Sequence, residues 1–176
     1  DAGASKAFAV ADHQIAHVYI NDAAVMAQVK SILESLDGVE LVLDKEAQKA
    51  YGIAHERSGD LVVMADARSW FAYYFWMDDA VAPDYARVVD IHKKPGYDPV
   101  EMFMSSKGRA AYKLLRKKAG FRYVMDVIPL DATLVKGSHG RLEKDPQFHP
   151  VLIGDGIEKS NLSAVVVYDV IWQQLT

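Results

Sequence analysis

The chain has 176 residues, 51% of them apolar, with a net charge of −4 and a pI near 5.8. That is enough apolar sequence to bury a core in one domain, or in one domain with a small subdomain. The acidic balance argues against a nucleic-acid polymer as partner and no apolar run reaches the roughly 18 residues of a membrane span, while the absence of cysteine excludes disulfides and thiolate metal sites.

Residues 6–11 (KAFAVA) read as a short buried strand, and residues 17–20 as a second. Asp22 is placed to cap a helix in which Val25, Val29, Ile32, Leu33 and Leu36 recur at helical spacing, and Asp37-Gly38 stops it. A strand over 39–43 and a short helix over 44–50 follow, the helix ending near Gly52. Residues 60–65 (DLVVMA) predict a strand after the Ser58-Gly59 turn. The aromatic run 70–76 (WFAYYFW) predicts another, covered on both faces. Residues 80–97, with Pro83, Pro95 and Gly96, have no clean period and read as a long irregular excursion of the kind that lines sites.

Further on, residues 106–118 predict a helix with Leu114 and Leu115 facing inward and Arg116-Lys117-Lys118 on a solvated face. A strand is expected over 123–128, a glycine-rich loop over 135–141 and a buried strand over 150–153 (PVLI). A last helix, capped by Ser160 or Asn161, runs to Leu175. Strands alternating with helices predict an α/β fold with a mostly parallel sheet flanked by helices. Residues 22–112 are expected to form an inserted cap or subdomain, with 1–21 and 113–176 making the main body.

Two motifs carry chemistry. Asp12-His13 interrupts the first apolar run, either as a polar turn or as a pair of metal ligands at a strand tip. The second motif is GSHG, residues 137–140, whose glycines leave the backbone free to aim His139 at a metal or an anion, or simply to make an exposed turn. Without thiolates, any metal here uses imidazole, carboxylate or hydroxyl donors, which suits zinc or manganese.

The order of these segments is more telling than either alone. An Asp-His strand end, a long insertion, GSHG, an apolar PVLIG segment and a terminal VYDVIWQQL helix resemble the C-terminal part of the alkaline phosphatase superfamily. The likeness is to its type I phosphodiesterase/nucleotide pyrophosphatase branch. The resemblance implies an alkaline-phosphatase-like fold and a two-zinc hydrolase of small-molecule phosphoesters. Asp12 and His13 would bind one ion and His139 the other.

It also implies that the nucleophilic Thr or Ser and an Asp-x-x-x-His segment lie upstream of the Asp-His strand, whereas eleven residues precede Asp12. The chain, which opens on Asp rather than Met, is therefore expected to be a processed or cut piece. No nucleophile is assignable within it, and an exposed apolar face is expected to favour self-association. The alternative is a non-catalytic domain that uses the same pocket for a ligand or a partner chain.

Gln14 departs from the family pattern, which has Gly after the Asp-His pair. His17 lies four residues past His13 and reads first as a sheet histidine with a local hydrogen bond. Asp90 and His92 form a D-x-H pair that would share one side of an extended segment. His55 and His149 read as loop residues. The aromatic run reads first as core and second as a stacking surface for a flat leaving group. Arg68 reads as a surface ion-pair residue before a phosphate ligand.

Overall fold

The computed structural model describes residues 2–89, 98–154, 157 and 162–175. Two compact units divide the chain, Asp1–Leu142 and Glu143–Thr176.

The first unit is built on a four-stranded sheet in the order β1-β2-β4-β3. Its strands are β1 (Ala7–Asp12), β2 (Ile15–Ile20), β3 (Val39–Asp44) and β4 (Leu61–Ala65). Alternation along β2 and β4 sends Ala16, Val18, Leu61 and Val63 to one face. There they form a buried cluster with Met26, Val29 and Leu33 of helix α1 (Met26–Glu34) and with Phe71. Asp22 caps the turn that leads into α1, its side chain accepting from the Ala24 N–H. Asp44 ends β3 and caps α2 (Lys45–Ala50) through the Ala47 N–H. Gln48 of α2 is fully buried and donates to the carbonyls of Leu43 and Gly59, tying the helix to the sheet.

The expectation of a mostly parallel, alkaline-phosphatase-like sheet is corrected here. All three neighbouring pairs are antiparallel. Strands and helices do alternate from β2 to β4, but strand direction depends on how each connection returns. Asp12 pairs with Ile15, so β1 and β2 are joined by two residues, a hairpin that can only be antiparallel. The α1 crossover does bring β3 parallel to β2, yet β4 returns between them and pairs antiparallel with both.

Residues 70–76 form no strand. Their side chains are divided between two cores, Phe71 in the first and Trp70, Tyr74 and Trp76 in a second around Ala86, Val100, Ile128 and Leu130. Core packing, the commoner meaning of such a run, holds for most of it. Residues 123–128 also lack a ladder, although their backbone bonds Val89, Ser105 and Arg87 singly. Helix α3 (Lys107–Lys118) forms as expected with Ser106 as its cap, but Leu114 and Leu115 are exposed rather than inward.

In the second unit, the side chain of Asp145 caps a short turn over Pro146–Phe148. A final helix, α4 (Val167–Leu175), stacks Tyr168 on Trp172. Residues 150–153 are not a strand, and Val151 and Ile153 are exposed. An extended segment needs a pairing partner, and this unit has no strand among its described residues. Ser160 and Asn161, the expected caps, lie outside the described residues, as do Asp90 and His92.

Candidate metal centre

Asp12 closes β1 on the sheet face opposite α1, and His13 opens the two-residue turn into β2. His13 has φ 58, in the left-handed region. A non-glycine residue there costs roughly 1–2 kcal/mol and persists only where its surroundings hold it. Three backbone bonds do so: Phe71 N–H donates to the His13 carbonyl at 2.7 Å, Gln14 N–H donates to the His139 carbonyl at 2.8 Å, and Ala65 N–H donates to the Gln14 carbonyl at 2.9 Å.

The GSHG loop meets this turn from a distant part of the chain. Gly140 has φ +107, and a Cβ there would stand 3.3 Å from both the backbone nitrogen and Cγ2 of Ile15. Glycine therefore allows the loop to lie against the hairpin, whereas Gly137 faces open space. Beyond the loop, Arg141 pairs with Glu40 of β3 at 2.7 Å, with both side chains largely buried. The His13 and His139 rings consequently approach to 4.1 Å between centroids. One ligand atom each from Asp12, His13 and His139 lies within 4.8 Å of the others. Among the described residues these three are the single group able to hold a metal in this way.

The donor set fits a divalent ion. Nδ1 of His13 is buried and has no hydrogen-bond partner among the described residues, a costly state for an imidazole nitrogen unless a ligand meets it. One carboxylate and two imidazoles are hard-to-borderline donors.

Two aromatic residues complete the wall. Trp70 lies 6.4 Å from the His13 ring and Tyr73 meets it edge-on at 6.0 Å. Burial, and then the charge of Asp12, raise the Tyr73 phenol above its usual value, so it stays a hydrogen-bond donor. Tyr73 was hidden inside the aromatic run, and only the turn at 66–69 that redirects the chain towards His13 singles it out.

The remaining candidates lie elsewhere. His17 accepts a hydrogen bond at Nδ1 from the Gly59 N–H at 3.0 Å, the local sheet bond expected of it. His55 accepts from the Arg57 N–H in an exposed loop, and His149 is exposed beside the Glu143 carbonyl. Arg68 is exposed.

A hairpin tip and a glycine loop that converge one carboxylate and two imidazoles define the class of site, a candidate metal centre in a small α/β unit. A family model for type I phosphodiesterase / nucleotide pyrophosphatase matches residues 1–98, more than half of the 176, and the chain belongs to that family. The matched span contains Asp12 and His13 and ends before His139. Members are typically metal-dependent and act on small phosphoesters. Searches of curated proteins and of solved structures found no match.

Proposed function

We propose that this chain is the C-terminal part of a two-metal phosphoester hydrolase, in which Asp12 and His13 bind one zinc ion and His139 binds the other. The observation that carries the reading is the convergence of these three donors to within 4.8 Å across almost the full length of the first unit. Zinc suits the donor chemistry, with manganese as the alternative. When bound, such ions offset the negative charge on the phosphoryl oxygens and activate a coordinated hydroxyl as nucleophile.

The chain's own residues bind and orient. Asp12 and His13 are adjacent on a rigid turn, so both donors move as one body. His139 is brought to them by the Gln14–His139 backbone bond. The protonated Tyr73 phenol beside His13 is available to donate to a phosphoryl oxygen of the substrate. The nucleophilic Thr or Ser and the remaining ligands are assigned upstream of Asp1, following the order of motifs in the family. Residues 22–112 then form an insertion between the two halves of the site.

Metal analysis after dialysis against zinc tests the ligand assignment. Parent protein retains zinc, while Asp12→Ala and His139→Ala each retain less of it with unchanged far-UV circular dichroism. Equal zinc content in all three proteins would refute the assignment. Sequencing the source gene upstream of the Asp1 codon tests the rest. The expected frame carries, in order, an Asp, a Thr or Ser, and an Asp-x-x-x-His segment. A frame that starts at Asp1 removes the hydrolase reading and leaves a binding domain.

A further inference from the structure

Gln14 is not a ligand and stands where the family usually has glycine, yet its backbone and its side chain both tie the site together. Its N–H donates to the His139 carbonyl at 2.8 Å, and its carbonyl accepts from Ala65 N–H at 2.9 Å, extending the β2–β4 ladder past Ile15 and Met64. Its side-chain Nε2 donates to the Asp66 carbonyl and to the Ser69 carbonyl, each at 3.1 Å. Both amide hydrogens are thus used, and they close the 66–69 turn that sends Trp70 and Tyr73 to the wall of the site.

We propose that Gln14 is a positioning residue: by clamping the 66–69 turn with its carboxamide it fixes the Asp12–His13 turn against His139. The proposal rests on the metal-ligand reading above. Chemistry selects the residue type. A carboxamide NH₂ offers two donors that diverge towards two carbonyls. Glutamate at the same length would set carboxylate oxygens against those carbonyls, and asparagine is one methylene short. Glycine would keep the backbone bonds but leave the turn unclamped. Groups that orient first-layer ligands from behind typically change metal affinity by roughly 10–100-fold when removed.

The test is a Co²⁺ titration of the 176-residue chain, reading both affinity and the visible absorption of the bound ion, which reports coordination geometry. Gln14→Met keeps the stem and volume and removes both donors. Gln14→Gly provides a second variant if the first folds poorly. Asp60→Ala is the structural control, because Asp60 accepts from Ile20 N–H at 2.8 Å at the far end of β2, away from the site.

The expected result is a roughly 10–100-fold weaker affinity with an altered visible band for the Gln14 variants. Asp60→Ala should match the parent in both. A Gln14 variant with parental affinity and spectrum overturns the proposal. So does an Asp60→Ala loss as large as theirs, which would mean that general destabilisation is responsible. A parent chain that binds no Co²⁺ sinks the metal-ligand reading first and this proposal with it, so the two failures are distinguishable.

Discussion

At the scale of single residues, the two glycines of GSHG have different work. Gly140 is held at a positive φ with Ile15 against the place where a Cβ would stand, and Gly137 has neither constraint. Gly140→Ala is therefore expected to cost about 1–3 kcal/mol, since the new carbon must displace the backbone of the hairpin or lift the loop from it. Lifting the loop also separates His139 from His13, so zinc affinity should fall together with stability. Gly137→Ala should change neither by more than about 0.5 kcal/mol. Urea denaturation and zinc titration of both variants decide the matter, and equal effects at the two positions would contradict the close contact at Gly140. The sequence showed that GSHG could aim a histidine. It did not show which glycine does so, because that depends on Ile15, a residue on a different element.

At the scale of elements, helix α3 is joined to the segment after it by charge. Arg109 and Lys113 both reach Asp126, at 2.5 and 2.8 Å. The Arg109 and then the Lys113 hydrogen bonds pull the Asp126 carboxyl from 3.8 down to about 2. A carboxyl with a lowered folded value stabilises the fold above its unfolded value. That contribution is lost as pH falls from near 3.8 through about 2. Solvent reaches both cations, so the effect is set at about 1 kcal/mol. Urea midpoints at neutral pH and near pH 2 should differ less in Asp126→Asn than in the parent; identical pH dependence in the two would show that the pairs contribute nothing.

Elements of this kind were readable where local chemistry decides them. Asp22 was visible as a cap, and the helices over 44–50 and 106–118 were visible without Asp44 and Ser106 being singled out as theirs; each of the three accepts a backbone N–H at a helical start. Segments 39–43 and 60–65 were visible as strands and lie in the sheet. The direction of pairing was not readable, because β-branched runs look alike in parallel and antiparallel ladders. The aromatic run misled for a related reason. Its density signals burial on both sides, and two cores flanking an irregular segment satisfy that as well as two faces of a sheet do. Residues 150–153 show the reverse case, a strand-like composition with no strand beside it to pair with among the described residues.

At the scale of the whole molecule, the candidate metal site joins the beginning of the first unit to its end. Asp12 and His13 lie on the first hairpin, while His139 stands just before the boundary at Leu142. The candidate donors were evident from the sequence alone, and so was their order. Their meeting was not, since it depends on Gln14, Gly140 and the Arg141–Glu40 pair acting together. A metal held in this way binds the folded chain and has no assembled site in the unfolded one, so it must stabilise the fold by mass action. At free zinc about 100 times Kd the gain is about 2.7 kcal/mol. For a chain of this length that corresponds to a rise in Tm of roughly 5–10 °C. The rise should grow with the logarithm of zinc concentration and shrink in both Asp12→Ala and His139→Ala. If zinc raises the Tm of His139→Ala as much as that of the parent, the GSHG loop holds no ion. If neither substitution alters the rise, the metal binds elsewhere on the chain.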